Sequence, residues 1–394
     1  MAFYPRDILH VLEKELTTKQ AVVITGMRGV GKTTILRHLF VRTASSNKVM
    51  LDFENPLIRK LFEEENYDTI WENLAQFRLT KNEQAFLFLD EVQNLPQISS
   101  IAKYMLDHWR TKFFLTGSSS FYLKNLFAES MSGRKLVFEL FPLTFAEFLI
   151  FRGVDRKESH DFSEISKNKN YIAYQKLIPL WKEYCEFGGF PEVVLEGDRA
   201  RKRALLTEIF TSYYERDVKT LADFRDLAKL RDCVLLLVDR VGSKVDVVKL
   251  AASLSLSRET VYHYLEFLQD SYLVSLLPKH TASIDRSVAG GKKVYLCDTG
   301  LVSVLGHPSS GQLFESAVFE ALRPKHKLSY YDREGRSEID FVVDGTVGLE
   351  VKKSPSKRDS AHLTMRADSA GLKERYVISW EYTNLQQTIL ATEL

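Results

Sequence analysis

The stretch Val22-Val23-Ile24-Thr25-Gly26-Met27-Arg28-Gly29-Val30-Gly31-Lys32-Thr33-Thr34 constrains this chain more than any other. It reads as a short apolar strand, a GxxxxGKT turn, and a helix opening with Ile35-Leu36. Glycines at 26, 29 and 31 let the backbone turn tightly and aim successive N–H groups at one point. A helix starting there adds the positive end of its dipole. Strand, loop and helix together form a phosphate-binding loop in its expected context. Gly26, Gly29, Val30, Gly31, Lys32, Thr33 and Thr34 are expected to hold a nucleoside polyphosphate. Lys32 would reach its β- and γ-phosphates and Thr33 would ligate Mg²⁺.

Further apolar runs alternate with helical patterns. Val49–Phe53, Ala85–Glu91, Lys112–Thr116 and Lys135–Leu140 read as strands, and Asp7–Leu16 as a helix before the loop. Near-continuous apolar strands separated by helices predict an α/β fold with a parallel sheet covered on both faces. Active groups then gather at the carboxyl ends of the strands. Asp90 and Glu91 end one such strand. Four apolar residues before two carboxylates resembles a Walker B motif, with Asp90 in the Mg²⁺ shell and Glu91 polarising a water as general base. Thr116 or Ser118, at the end of the strand Lys112–Thr116, resembles a sensor for the γ-phosphate; a Gly-Ser helix cap is the competing reading. Two arginines are candidates for stabilising transition-state charge: Arg134, after Ser132-Gly133, and Arg216, in Tyr214-Glu215-Arg216-Asp217-Val218. Each also reads as an ordinary surface or intrahelical ion-pair residue.

With 394 residues the chain is long enough for two or three domains. Its net charge of +2 supplies no global attraction to nucleic acid, although a local patch remains open. Cys185, Cys233 and Cys297 lie far apart without metal-ligand spacing. Free thiols, the absence of a signal-like N-terminal run and the lack of a membrane-length apolar segment lead to the expectation of a cytoplasmic protein without a membrane partner. The polar stretch 156–170 reads as a solvated linker.

Trp181–Tyr214 has helical spacing broken by Gly188-Gly189-Phe190-Pro191, as in a small helical lid. Asp246–Ala252 and Arg258–Leu265 read as two helices around a Ser255–Ser257 turn, followed by a strand at Tyr272–Leu277: a winged helix-turn-helix. Its second helix would present Arg258, Thr260 and His263 to DNA, but Glu259, Glu266 and Asp270 oppose phosphate contact. Near the end, a helix at Leu313–Leu322 precedes strands at 328–332, 338–343 and 347–352, with Asp344-Gly345 as a hairpin turn. Asp340 and Glu350 then approach across the hairpin, and Lys352 shares a face with Glu350. With Glu315 on the preceding helix this resembles a PD-(D/E)xK nuclease site, although Ile339 replaces the usual proline. Such carboxylates would hold a second Mg²⁺ or Mn²⁺ while Lys352 positions a water. The competing readings are a solvated charged hairpin and a nuclease-like fold that binds without cutting. Lys352, Lys353, Lys357 and Arg358, with Arg333 and Arg336 nearby, form a local basic cluster.

Taken in order, GMRGVGKTT, FLFLDEVQ, FLTGSSS, SGR, FPLTFAEF, GGFP, YERDV, YLCDTGL and the Ile339-Asp340-Phe341 to Glu350-Val351-Lys352 hairpin resemble a prokaryotic family of AAA-type ATPases. Its members carry a C-terminal domain of unknown function. The resemblance implies a P-loop NTPase core at 1–150, a helical lid and linker at 151–230, a winged helix at 231–280 and a restriction-endonuclease-like domain at 281–394. It implies a homo-oligomer with ATP and Mg²⁺ as ligands. DNA is the expected macromolecular partner; a nucleotide switch acting through protein contacts, with an inactive nuclease-like domain, is the alternative.

Overall fold

Runs rich in Val, Leu and Phe become central strands when both faces of a sheet are covered, because each such side chain then leaves water. The computed structural model describes residues 3–118, 133–154, 161–219, 226–281, 290–333 and 337–394. The chain divides into two units: Met1–Phe141 with Glu215–Ala222 and Asp270–Tyr272, and Pro142–Tyr214 with Asp223–Gln269 and Leu273–Leu394.

In the first unit, β1 (Ala21–Thr25), β2 (Lys48–Asp52), β3 (Ala85–Asp90), β4 (Thr111–Gly117) and β5 (Lys135–Glu139) form one sheet in the order β2-β3-β4-β1-β5. Every pairing is parallel. β4 lies between β1 and β3. Leu87, Leu89, Phe113 and Leu115 bury one face of the sheet against Trp71, Ile98 and Met105. Each fully buried side chain of this size contributes about 1.5–3 kcal/mol. Expected coverage of both faces fails at β5. It is an edge strand of half-buried and exposed residues, with Val137 exposed. The register aligns the carboxyl ends: Ile24 pairs with Thr116, Thr25 with Gly117 and Leu89 with Leu115. The helix expected at Asp7–Leu16 is shorter, Leu9–Lys14, and tightens into a 3₁₀ turn at Glu15–Thr17.

In the second unit, helices Phe145–Phe151, Tyr171–Phe187 and Arg199–Ser212 surround an aromatic cluster in which Phe145 meets Trp181 edge-on and contacts Tyr184. The helix Phe145–Phe151, placed with the ATPase core by its position before residue 150, therefore packs here. Helices Leu227–Val238, Val247–Leu254 and Arg258–Asp270 precede the antiparallel pair β6 (Val274–Leu277) and β7 (Lys293–Leu296). The last sheet joins β8 (Leu328–Arg333), β9 (Ser337–Val343), β10 (Val347–Lys352), β11 (Glu374–Ser379) and β12 (Thr388–Leu390) in the order β12-β11-β10-β9-β8. The β9–β10 turn has φ of 50° at Asp344 and 71° at Gly345, conformations that Asp-Gly tolerates. Part of the expected linker 156–170 is structured. Asp161 caps the helix Phe162–Lys167, and Phe162 contacts Tyr376. Within the described residues no helix is long and apolar enough to cross a membrane.

Two separated motifs meet in this unit. Asp298 is fully buried and accepts N–H bonds from Gly189 (2.6 Å), Gly300 (2.9 Å) and Leu301 (3.3 Å). Gly188 has φ of 71°, and a Cβ there would lie 2.0 Å from Asp298 Oδ1. Burial pushes the Asp298 carboxyl up to about 6 against the pull of those N–H groups. Asp298→Asn would set an amide N–H₂ against backbone donors. We expect the urea midpoint of this unit to fall by the equivalent of about 1–3 kcal/mol, the cost of an unsatisfied buried donor. An unchanged midpoint would show that Asp298 does not hold the two motifs together.

Candidate functional site

The loop after β1 takes its shape from two positions. Gly31, at φ 99°, is the left-handed N-cap of the helix Lys32–Arg42. Gly26, at φ 152°, packs so closely on Leu140 that a Cβ would lie 2.1 Å from its carbonyl oxygen. Val30 is buried, and its carbonyl accepts 3.0 Å from Arg6 Nη1, while Arg6 Nη2 reaches Phe141 O at 2.8 Å. This clamp was not foreseen, because an arginine at position 6 carries no local sign of its partners. Lys32 is buried and donates to the loop carbonyls of Gly26 (2.8 Å) and Met27 (3.0 Å). Burial lowers its pKa, opposed by the fields of Glu91 and Asp217. Thr33 is half-buried and Thr34 exposed in the first helical turn.

Asp90 is buried at the end of β3 and accepts from the Thr116 hydroxyl. Thr116 Oγ1 also accepts the Glu91 N–H at 3.4 Å. Thr116 is thus held between the two carboxylate residues, while Ser118 lies further out. Glu91 has φ of 54°, a strained conformation of the kind found at functional sites. Gln93 Nε2 donates both to Glu91 Oε2 and to Ser118 Oγ (3.1 Å), and Ser118 Oγ donates to Asp217 Oδ1 at 2.8 Å. Gln93 and Asp217 escaped the sequence reading although both lie in motifs it quoted. Asp217 is 4% exposed, and its Oδ2 is buried without a hydrogen-bond partner. Burial raises its pKa. A π-helical turn, Tyr213–Val218, carries it; such turns recur at functional sites.

Of the two arginine candidates, Arg216 pairs with Glu54 at 2.9 Å, and Arg28 of the loop approaches the same oxygen at 3.5 Å. Arg134 lies at the other end of the sheet. Its carbonyl accepts from Ala21 N, at the amino end of β1, and its Nε pairs with Asp107 at 2.8 Å. It therefore cannot reach the loop of its own chain. Ser119, Ser120, Ser132 and Arg336 lie outside the described residues. The donors near the loop are hard oxygens, Thr33 and Asp90, which suit Mg²⁺.

The C-terminal candidates also converge, but around a lysine. Leu349 pairs with Phe341, setting Asp340 beside Glu350. Asp340 Oδ2 accepts the Val351 N–H at 2.8 Å. Glu350 Oε1 faces Lys352 Nζ (2.9 Å) and Arg366 Nη1 (3.1 Å), while its Oε2 is buried without a partner. Lys293, 2% exposed, lies 2.6 Å from Glu338, 3.2 Å from Glu315 and 3.7 Å from Asp340. Burial opposes its charge, but Glu315, Asp340 and Glu338 together hold its pKa above the ordinary lysine value. Burial pushes Glu315 and Asp340 up. Neither Lys293 nor Arg366 was anticipated; the available signal was the period-two pair Lys293/Tyr295 in β7. A divalent ion among these oxygens would have to displace the Lys293 ammonium from Glu315 and Glu338. The residues do not fit the expected second Mg²⁺ or Mn²⁺. Among the described residues, no group of three or more His, Cys, Asp or Glu is arranged to hold a metal ion. A cavity of about 550 Å³ opens on the cluster, lined by Glu315, Asp340 and Glu381 as well as by Lys182, Lys352 and Lys353.

Residues 18–149 match the family described as AAA domain. Residues 178–310 and 310–392 match two domains of unknown function, DUF8612 and DUF4143. An uncharacterized protein of Methanocaldococcus jannaschii is 28% identical over 85% of this chain and 74% of its own length. An uncharacterized protein of Haemophilus influenzae is 25% identical over 82% of this chain and 78% of its own. Among solved structures, the Walker-type ATPase PABY2304 of Pyrococcus abyssi is 14% identical, with TM-score 0.48, covering 77% of this chain and 96% of that one. The Aeropyrum pernix ORC1 protein in complex with DNA is also 14% identical, with TM-score 0.32, covering 77% of this chain and 92% of that one. Residues 18–149, within the first unit, are thus similar to the AAA domain family, in keeping with the parallel sheet and glycine-rich loop described above.

The contact of Gly26 with Leu140 generates a direct test. Gly26→Ala should destabilise the first unit by about 1–3 kcal/mol through backbone strain alone, more where the clash is not relieved. Thermal unfolding reads this; an unchanged melting temperature would place the need for glycine elsewhere.

Proposed function

We propose that the chain is a Mg²⁺-dependent ATP hydrolase whose nucleotide state governs DNA binding by its C-terminal half. The observation that carries the first part is the run of hydrogen bonds Glu91–Gln93–Ser118–Asp217 beside the buried Lys32. On binding ATP, Lys32 exchanges two loop carbonyls for phosphate oxygens. Thr33 and Asp90 would hold Mg²⁺, which when bound neutralises charge on the β- and γ-phosphates. Glu91 accepts a proton as a water oxygen bonds to the γ-phosphorus and the bond to the β–γ bridging oxygen breaks, giving ADP and phosphate. Thr116 orients Asp90 and Glu91 rather than touching the water, and Ser118 takes the sensing position. Arg216 lies on Glu54 beside loop residue Arg28; Arg134 has a role only toward a nucleotide held by another copy, in a homo-oligomer.

Support for DNA comes from Lys182, Lys352 and Lys353 on the wall of the cavity, although Glu315, Asp340 and Glu381 line it too. The helix Arg258–Asp270 supports it less. Arg258 and His263 are exposed, but the Thr260 side chain and N–H are engaged with Ser257, and Glu259 and Glu266 are exposed on the same helix. Those carboxylates favour the second reading, a switch acting through protein contacts.

Three variants separate the roles. Lys32→Ala should lose ATP binding. Glu91→Gln should keep binding while turnover falls by about 10²-fold or more, the usual worth of a general base. Asp217→Asn should keep the KM for ATP and lower kcat, because it acts through Ser118. Equal loss of binding in all three would overturn these assignments.

For the coupling, ATP turnover should rise when DNA is added. DNA affinity should fall with salt, and Lys352→Ala/Lys353→Ala should flatten the log–log slope by about one to two units, at about 0.9 per phosphate contact. Turnover indifferent to DNA, with no salt-sensitive binding, would leave the switch reading in its place.

A further inference from the structure

We propose that the acidic cluster of the C-terminal sheet is neutralised from within by Lys293 and does not take up a divalent cation. The argument rests on geometry within the second unit and stands whether or not the nucleotide reading holds. A metal-dependent phosphodiesterase of the type the hairpin resembles needs carboxylate lone pairs open toward one point. Here Glu315 Oε1 is bound by Lys293 Nζ (3.2 Å) and by the Tyr295 hydroxyl (2.6 Å). Glu338 Oε1 lies 2.6 Å from the same ammonium, and Asp340 Oδ1 3.7 Å from it. The other Asp340 oxygen holds the Val351 N–H. Glu350 is shared by Lys352 and Arg366, which leaves its Oε2 as a single open oxygen beside two cations.

The fold puts Lys293 there and keeps it there. Lys293 and Tyr295 point to one face of β7 by strand alternation. That face meets the helix Ser310–Leu322, on which Glu315 and Phe319 are one turn apart. Tyr295 stacks on Phe319 with ring centroids 4.3 Å apart and planes at 13°. The Lys293 ammonium also lies 5.7 Å from the centroid of Tyr330. Its backbone is fixed by pairing with Leu277 and by a bridge to Lys244. A side chain 2% exposed and held on several sides does not swing aside for an ion. The consequence is a cleft without the open carboxylate oxygens that metal-dependent phosphodiester cleavage needs.

The test uses the full chain without nucleotide, with Mn²⁺ as the probe, followed by titration calorimetry and by the EPR signal of free Mn²⁺. Wild type and Asp340→Asn should titrate identically, since Asp340 belongs to no metal site. Lys293→Met, of similar length and uncharged, should melt at a lower temperature than wild type. It should acquire one Mn²⁺ per chain, which restores the melting temperature, and Lys293→Met/Asp340→Asn should lose that ion again. A Mn²⁺ equivalent in wild type that Asp340→Asn abolishes would overturn the proposal, and this comparison needs no Lys293 variant to fold. A folded Lys293→Met chain as indifferent to Mn²⁺ as wild type would overturn it equally.

Discussion

Lys32 is an ammonium removed from water and held by main-chain carbonyls rather than by a carboxylate in contact. Carbonyl dipoles compensate a buried cation less well than a formal negative charge, and burial accordingly lowers its pKa. The rest of the first unit serves that imbalance. Parallel register brings the ends of β1, β3 and β4 level, so that the loop, Asp90, Glu91 and Thr116 share one edge. Gly26 lets the loop lie directly on Leu140, and Arg6 ties Val30 to the chain at Phe141. The result is a set of polar groups, Lys32, Asp90, Glu91 and Thr116, gathered at one edge of the sheet.

Lys293 is the contrasting case. It is buried to a similar degree, yet three carboxylates lie within 4 Å and its pKa rises instead of falling. The direction of the shift separates the two lysines more sharply than burial does. One has an environment that a phosphate completes; the other has an environment already complete. The expected resemblance of the hairpin to a metal-dependent nuclease rests on Asp340, Glu350 and Lys352 with Glu315; Asp340 lies beside Glu350 across the hairpin, and Lys352 pairs with Glu350. The residue that changes their chemistry comes from a different strand.

This difference marks what was legible in the sequence. The loop, the strand ends and the Asp-Gly turn are local: spacing over a few residues fixes them, and the structure has them in the anticipated places. Which end of a strand faces a site is not local, and Arg134 falls at the amino end of β5, away from the loop. Gln93 lay in a quoted motif, but its partners Glu91 and Ser118 are set by the turn after β3. Asp217 reaches Ser118 across a separation of 99 residues, and Asp298 reaches Gly189 across 109. No periodicity carries such contacts; they emerge only when the chain has closed. The stretch 156–170 misled for another reason: Asp161 and Phe162 need a cap and a partner ring, and composition shows neither.

Asp217 then poses a question that packing does not answer. A buried oxygen without a hydrogen bond costs about 1–3 kcal/mol, and a purely structural acid would turn it toward a donor. Its helix instead widens into a π turn at Tyr213–Val218, within which Arg216 is exposed at Glu54 and Asp217 is buried against Ser118. Both features are unfavourable in isolation. Together they set Asp217 Oδ1 on Ser118 Oγ, which also accepts from Gln93 of the turn after β3. The same segment, Glu215–Ala222, belongs to the first unit although it follows a long run of the second. The chain thus returns to the first unit at the π turn that carries Asp217.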